Sequence, residues 1–171
     1  MRVLNAEVLQ CSLSGKFPAR PKAICLDVIS WYQMKQFLER HIMKTIHVVA
    51  AIIERDGCVL ATQRGYGEFE GGWEFPGGKV EPGETEEQAL IREIHEELNA
   101  EIVVNRHLCT VDYDYETFHL HMGCYLCALA ENHIDLLEHA QARWLDRETI
   151  DSVAWLPADI SVVDALKEEV F

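Results

Sequence analysis

One segment, GKVEPGETEEQALIREIHEELNA at residues 78–100, constrains this chain more than any other. It places three carboxylates, Glu93, Glu96 and Glu97, within a single turn and a half of a helix. Residues three and four apart on a helix are neighbours, so the three carboxylates crowd onto one face and repel one another. A hard divalent cation offsets this repulsion, because Mg2+ takes oxygen ligands and bridges protein carboxylates to substrate phosphates. The segment therefore predicts a helix that holds a cation.

The same segment predicts where the helix ends and which side faces the core. We expect a helix over residues 85–98, with Thr85 as its N-cap and Asn99 in a left-handed turn that terminates it. The predicted core-facing residues are apolar and lie beside the acidic face: Leu90, Ile91, Ile94 and Leu98. An exposed acidic face without a ligand is the alternative interpretation.

The remaining pattern predicts a mixed-sheet α/β domain. Strands are predicted at residues 46–54, 58–64, 73–75, 101–115, 118–129 and 142–145, a turn at 76–78, and further helices at 146–153 and 159–170. Asp56-Gly57 between the first two strands is a hairpin signal.

Charge and apolar runs exclude several function classes. The net charge of −14 argues against a nucleic-acid polymer as partner, since phosphate contacts need Lys and Arg. No apolar run is long enough to span a membrane, and the first residues lack the layout of a signal peptide. We therefore expect a cytoplasmic protein with reduced cysteines. Cys124 and Cys127 form a CxxC spacing, but on a strand they would point to opposite faces, which favours buried thiols over a redox or zinc pair.

Residues 1–42 show no clear fold signal, and Pro18 and Pro21 interrupt their first half. Two interpretations follow: either Met43 is the real start of the protein, which we prefer, or residues 24–42 form a helix added to the domain. In both cases the predicted domain is residues 43–171, preceded by an N-terminal extension.

The acidic segment resembles the Nudix box, the signature of the Nudix hydrolase superfamily. The matching positions are Gly78, Glu84, Arg92, Glu93, Ile94, Glu96 and Glu97. The family pattern continues with glycine and a hydrophobic residue, where this chain has Asn99-Ala100. The resemblance implies the Nudix fold, an α/β/α sandwich with a mixed sheet in which the box forms a loop-helix-loop. It also implies hydrolysis of a nucleoside diphosphate linked to another group.

The resemblance implies roles for individual residues. The cofactor would be Mg2+, with Mn2+ able to substitute, and its ligands would be Gly78 (through its carbonyl), Glu93, Glu96, Glu97 and Glu138. The catalytic residues would be Glu97, Glu96 and Glu138, with Glu97 and Glu138 as the two candidates for the general base. Arg92 would pair with Glu84 and fix the loop-helix-loop rather than bind phosphate.

Stretches outside the box resemble MutT-type nucleoside triphosphate pyrophosphohydrolases, especially the branch that acts on CTP and pyrimidine nucleotides. These stretches include WEFPGGK at residues 73–79 and LPADI at residues 156–160. The likeness implies that Arg64 and Lys79 contact the triphosphate and that Asp159 contacts the base; capping of the last helix is the alternative role for Asp159.

The expected activity is Mg2+-dependent hydrolysis of (deoxy)nucleoside triphosphates, such as 8-oxo-dGTP or (d)CTP, to nucleoside monophosphate and pyrophosphate. The expected partner is a small nucleotide, with no membrane and no nucleic-acid polymer, and the enzyme would be a monomer or homodimer. Two alternatives are a Nudix hydrolase of ADP-ribose or a dinucleoside polyphosphate, and a nucleotide sensor without catalysis. The absence of proline between Pro82 and Pro157 disfavours the ADP-ribose class, and the intact glutamates disfavour the sensor.

Overall fold

The computed structural model describes residues 43–171, so the interpretations of residues 1–42 lie outside the described residues. The elements are β1 (Lys44–Arg55), β2 (Cys58–Arg64), β3 (Trp73–Glu74), β4 (Gly77–Lys79), α1 (Glu86–Leu98), β5 (Ile102–Asp114), β6 (Phe118–Leu129), β7 (His139–Leu145), a short 3-10 helix (Ile150–Ser152) and α2 (Pro157–Glu169). None of the helices in the described part of the chain is long and apolar enough to cross a membrane.

Strand β1 is the centre of a mixed sheet. The strand order is β3-β2-β1-β6-β5, with β4 also paired to β1 and β7 to β2. β1 runs parallel to β6 over Lys44–Ile53, while its other pairings are antiparallel. The β1–β2 turn has left-handed backbone at Asp56 (φ 53°) and Gly57 (φ 74°). Positive φ at both central residues is what a two-residue type I′ hairpin requires, so the predicted hairpin is confirmed.

The two helices cover opposite faces of the sheet. One apolar cluster joins α1 to the sheet residues Val49, Ala51 and Ile53, and the other joins α2 to Ala50 and Ile52. Successive residues of β1 thus contribute to alternate clusters, because side chains on a strand alternate between its faces. The predicted α/β/α sandwich with a mixed sheet is confirmed.

Helix α1 has the predicted ends and a slightly rotated buried face. Thr85 and Gln88 form a reciprocal capping box, and Asn99 adopts the left-handed conformation with φ 46°. Ile91, however, is 47% exposed, whereas Ala89 is fully buried. The prediction that Ile91 faces the core is therefore wrong, because the buried stripe runs through Leu90, Ile94 and Leu98 with Ala89 on its other side.

Two local predictions are wrong. Residues 77 and 78 of the turn expected at 76–78 belong instead to the short strand β4, which pairs with Val48–Ala50 of β1. Residues 146–153, expected in a helix, form only one 3-10 turn at Ile150–Ser152. The Asp146 carboxylate accepts a hydrogen bond from the Thr149 N–H at 2.9 Å, and such a local side-chain contact offers the backbone an alternative to the helix.

The backbone of Gly77 in β4 packs tightly against β1, and this leads to a prediction. Its φ is 148°, and a Cβ there would lie 2.1 Å from the Val49 carbonyl oxygen. We expect Gly77→Ala to lower the free energy of unfolding by about 2–4 kcal/mol, since the strand must shift. Gly67→Ala is the matched control: Gly67 also has positive φ (89°) but no atom lies within 4 Å of the added Cβ, so only about 1 kcal/mol is expected. Urea denaturation measures both, and equal losses would contradict the steric argument.

Candidate active site

Helix α1 presents its three carboxylates to a cleft of about 530 Å³. Glu93, Glu96 and Glu97 all line this cleft. The side chains of Glu93 and Glu97 are only 16% and 15% exposed, whereas that of Glu96 is 55% exposed. The prediction that the three carboxylates share one helix face is confirmed, and their role as metal ligands stays a prediction.

Gly78 lies against the Glu93 carboxylate at the edge of the cleft. A Cβ added to Gly78 would lie 2.4 Å from the carboxyl carbon of Glu93. Any side chain at this position would therefore displace the carboxylate or push β4 away from α1. Only glycine therefore fits at this first position of the box without such a displacement.

Arg92 holds the loop and the helix of the box together. Its Nε donates to Glu84 Oε1 at 2.7 Å and one terminal nitrogen donates to Glu84 Oε2 at 2.9 Å, a two-pronged contact that confirms the predicted pairing. The guanidinium also donates to Glu93 at 2.9 Å and to Glu96 at 3.3 Å. The hydrogen bond from Arg92 lowers the pKa of Glu84 to about 2, so Glu84 stays ionised at neutral pH. Arg92 thus supplies positive charge to the acidic face.

Glu97 is largely buried and is hydrogen-bonded to β4. Its Oε2 accepts a hydrogen bond from the Gly77 N–H at 3.0 Å, which joins the end of α1 to the start of β4. Burial is the main cause that raises the pKa of Glu97 to about 7; the carboxylates of Glu74 and Glu93 add to the rise, while His139 and the Gly77 N–H oppose it. A carboxyl group with a pKa close to 7 can exchange a proton at neutral pH, as a general base must.

Glu138 lies beside Glu97 but outside the main cleft. It lines a side pocket of about 150 Å³ together with Glu97 and Tyr66. The Tyr66 hydroxyl donates to Glu138 Oε2 at 2.7 Å. The structure therefore brings the two candidates for the general base to the same pocket, with Glu97 reaching both cavities and Glu138 only the smaller one.

Two residues of this region were missed in the sequence. The His139 side chain is 4% exposed, and its Nε2 lies 3.8 Å from Glu74 Oε1 and 3.9 Å from Glu97 Oε2. Its Nδ1 is buried without a hydrogen-bond partner among the residues that the structure describes. Glu74 belongs to the WEFPGGK stretch and His139 follows Glu138, so both are adjacent to residues that were predicted. Neither belongs to a spacing pattern that would have indicated a functional role.

Arg64 and Lys79, predicted to contact phosphates, both line the main cleft. Arg64 Nε donates to Glu74 Oε1 at 3.0 Å, and the Arg64 side chain remains 41% exposed. Lys79 is exposed at the end of β4, and its carbonyl accepts a hydrogen bond from Arg92 at 3.0 Å. Both cationic side chains are therefore placed to meet an anion, although Arg64 already has one partner.

Asp159 is buried at the other end of the cleft, where it is only 5% exposed. Its Oδ1 accepts a hydrogen bond from the Phe75 N–H at 3.0 Å. Leu156, not Asp159, is the N-cap of α2, and no side chain caps this helix end. The alternative role of Asp159 as a helix cap is therefore wrong. Burial raises the pKa of Asp159 to about 7.

Aromatic side chains surround this end of the cleft. Tyr115 contacts Phe69 with ring centroids 5.2 Å apart and stacks on Phe118 at 4.7 Å. Phe75 stacks on Trp155 at 4.7 Å. Aromatic rings offer flat surfaces on which a planar base can stack. The cleft thus has a carboxylate end beside α1 and an aromatic end beside α2.

The donor chemistry of the carboxylate end fits a hard divalent cation. Within residues 43–171 no group of three or more His, Cys, Asp or Glu side chains is arranged to hold a metal ion as it stands. The available donors are nevertheless oxygens, as Mg2+ prefers, and they are crowded and partly desolvated. A neighbouring positive charge would favour the ionised form of Glu97, which burial disfavours.

Comparison with known proteins agrees with this geometry. Residues 43–166 match the profile of the NUDIX domain family. The CTP pyrophosphohydrolase of Escherichia coli (strain K12) is 38% identical over 124 residues, which are 72% of this chain and 92% of that protein. An 8-oxo-dGTP diphosphatase of Proteus vulgaris is 37% identical over 93 residues, which are 53% of this chain and 83% of that protein.

Solved structures resemble the described domain. The E. coli ORF135 protein aligns with a TM-score of 0.65 and 36% identity, over 74% of this chain and 91% of that one. A MutT protein of the Nudix hydrolase family from methicillin-resistant Staphylococcus aureus 252 aligns with a TM-score of 0.62 and 38% identity, over 75% and 99%. The MutT protein of Methanosarcina mazei Go1, at 22% identity and a TM-score of 0.68, shares the fold.

The buried Asp159 leads to a prediction about pH. Because its pKa rises from 3.8 to about 7 on folding, the folded protein keeps a proton that the unfolded chain has lost. Stability from this group is therefore present below pH 3.8 and is lost as pH rises through 7. The free energy of unfolding should fall between pH 5.5 and 8, and Asp159→Asn should make this fall about 2 kcal/mol smaller. Glu97 should account for part of the remaining fall.

The measurement is urea unfolding at several pH values without divalent cations. Asp164→Asn, an exposed position on the same helix, is the control and should leave the pH dependence unchanged. The account of Asp159 fails if its asparagine variant shows the same pH slope as the original protein.

Proposed function

Because the chain belongs to the Nudix hydrolase family, we propose that it hydrolyses nucleoside triphosphates to nucleoside monophosphate and pyrophosphate, with a divalent cation as cofactor. The observation that carries the proposal is the make-up of the 530 Å³ cleft. The cleft is lined by the three carboxylates of α1, by the cations Arg64 and Lys79, and by aromatic side chains together with the buried Asp159. This combination suits a cation, a chain of phosphates and a base.

The carboxylate end is proposed to hold Mg2+, with Mn2+ able to substitute, through Glu93, Glu96, Glu97 and the Gly78 carbonyl. The bound cation would neutralise charge on the phosphates and activate water. Arg92 keeps α1 and the preceding loop in fixed relation through Glu84, so the carboxylates are held in place before a cation arrives. Placing ligands in advance reduces the free-energy cost of binding.

Glu97 is proposed as the general base, in preference to Glu138. Glu97 lines the cleft where the phosphates would lie, and burial brings its pKa to about 7. Glu138 accepts a hydrogen bond from Tyr66 and faces the side pocket. Glu138 is proposed to assist from the side pocket as an additional metal ligand. Glu96, the exposed one of the three carboxylates on α1, is proposed as a further catalytic residue.

Asp159 is proposed to select the base. Its Oδ1 accepts from the Phe75 N–H, which leaves Oδ2 for the base. Because the pKa of Asp159 is about 7, a share of the carboxyl groups is ionised at neutral pH, and in that form Oδ2 accepts a hydrogen bond from an exocyclic amine such as that of cytosine. The relatives named CTP pyrophosphohydrolase and 8-oxo-dGTP diphosphatase support nucleotides of these kinds. We favour pyrimidine or broad specificity over strict selection of oxidised guanine. We further propose that the enzyme is cytoplasmic and works as a monomer or homodimer.

A nucleotide panel tests the activity. The full chain is incubated with Mg2+ and with CTP, dCTP, dGTP, 8-oxo-dGTP, ADP-ribose or a dinucleoside polyphosphate, and both orthophosphate and pyrophosphate are measured. The proposal expects pyrophosphate from at least one triphosphate and activity that chelation of the cation abolishes. Release of orthophosphate alone, or preference for ADP-ribose, would refute it.

Replacement of Glu97 tests the assignment of the base. Glu97→Gln keeps the shape of the side chain but removes its charge, so turnover should fall by two or more decades, on the order of 3 kcal/mol of barrier. The fold should be retained, since the repulsion between carboxylates decreases. Glu87→Gln, on the exposed side of the same helix, is the matched control and should hydrolyse normally. Near-normal turnover of the Glu97 variant would show that another group takes the proton.

Replacement of Asp159 tests base selection. Asp159→Asn replaces a carboxyl that accepts at both oxygens when ionised with an amide whose nitrogen can only donate, and it leaves the carboxylate end untouched. The ranking of cytosine, guanine and 8-oxo-guanine substrates should change by about 1–3 kcal/mol in relative kcat/KM. Maximal turnover on the best substrate should change less. Asp164→Asn is again the control, and an unchanged ranking in the Asp159 variant would mean that this residue does not read the base.

A further inference from the structure

Cys124 has a different thiol neighbour from the one that its CxxC spacing suggests. As predicted, Cys124 and Cys127 point to opposite faces of the sheet, because Cys124 belongs to the apolar cluster under α2 and Cys127 to the cluster under α1. The residue opposite Cys124 on the adjacent antiparallel strand β5 is Cys109. Cys109 packs against the same cluster as Cys124, so both thiols lie on the same face of the sheet.

The backbone places these two cysteines at disulfide distance. Residues directly opposite in an antiparallel pair have Cα atoms about 4.5 or 5.5 Å apart, and disulfides join Cα atoms about 4.4–6.8 Å apart. The register shifts next to the pair, between His107 and Cys109, so that Leu108 has no partner on β6. Such a bulge bends the strand and increases its local twist.

One of the two thiols is accessible and the other is not. β5 lies at the edge of the sheet, Cys109 is half-buried, and Cys124 is fully buried. Hydrogen bonding with the Cys124 thiol lowers the pKa of Cys109, and the same contact together with burial raises the pKa of Cys124. The more acidic thiol is thus the one that a small solute can reach, and the thiolate is the form that reacts with oxidants.

We propose that Cys109 and Cys124 are an oxidation site that forms a reversible disulfide on exposure to a peroxide. The Cys109 thiolate attacks one oxygen of the peroxide, whose other oxygen leaves as water after protonation, and a sulfenic acid remains. The Cys124 sulfur then attacks the Cys109 sulfur, and the hydroxyl leaves as water with the proton of the thiol. Two thiols and one hydrogen peroxide give one disulfide and two waters.

The disulfide would close a ring of chain that carries one wall of the cleft. Residues 109–124 include the turn between β5 and β6 and the aromatic side chains Tyr113, Tyr115 and Phe118. Tyr115 and Phe118 line the cleft, whereas the carboxylates of α1 lie outside the ring. Oxidation therefore acts on the base end, and its effect on catalysis, which rests on the proposed function, should be a several-fold change in KM with little change in kcat.

The test uses the full chain, which has six cysteines, treated with hydrogen peroxide and then alkylated. No Lys or Arg lies between Cys109 and Cys124, so a protease that cleaves after glutamate is needed to separate them at Glu116. Mass spectrometry should find the two resulting peptides joined, with a loss of about 2 Da that dithiothreitol reverses. Cys109→Ser and Cys124→Ser should each abolish the joined peptides, whereas Cys58→Ser and Cys127→Ser should retain them.

Two results would overturn the proposal. The first is oxidation of Cys109 to sulfinic or sulfonic acid without joined peptides, and the second is a joined product that persists in Cys124→Ser. KM and kcat are then compared for the oxidised and the reduced protein, with Cys109→Ser under peroxide as control; an equal KM would overturn the link to the cleft. If no nucleotide is hydrolysed while the peptides are joined, the proposed function fails and the oxidation site stands, because the mass measurement does not depend on activity.

Discussion

The crowding of negative charge at one end of α1 is the constraint on which the rest of the structure depends. Few hydrogen-bond donors lie near the carboxylates of Glu93, Glu96 and Glu97. The side chains of Glu93 and Glu97 are also largely buried. Arg92 and the Gly77 N–H donate hydrogen bonds that offset part of their repulsion. Both donors also connect α1 to its surroundings: Arg92 binds Glu84 in the preceding loop, and the Gly77 N–H belongs to β4. The arrangement that makes the carboxylates tolerable therefore also determines how α1 sits on the sheet.

Two glycines of β4 make this arrangement possible. Gly77 brings its backbone against β1 and donates its N–H to Glu97, while Gly78 leaves room for the Glu93 carboxylate. Neither contact involves a side chain of β4. The site is thus built from backbone on one side and carboxylates on the other, and a rigid pairing with β1 keeps the two at a fixed distance.

The sequence predicted those parts of the molecule that depend on local chemistry. Thr85 and Asn99 bound a helix through their own hydrogen bonds and dihedral angles, and β2 was predicted with its observed limits because hairpin and strand signals are adjacent. Long-range contacts could not be predicted. The approach of His139 to Glu97, and of Cys109 to Cys124, depends on strand register, which no single segment encodes. Ile91 was misassigned because a helix with apolar residues on both sides of its seam leaves the rotation to tertiary packing.

The parallel pairing of β1 with β6 has a consequence for how the chain reaches this structure. Lys44 aligns with Phe118, so the centre of the sheet joins segments more than 70 residues apart. Bringing such distant segments together is slow, since the entropy lost on loop closure is not repaid until the whole ladder forms. The β5–β6 hairpin and α1 can assemble first, because their contacts are local. During synthesis β1 is therefore made well before β6, and the edge of β1 that pairs with β6 is open to association with other molecules until that strand follows.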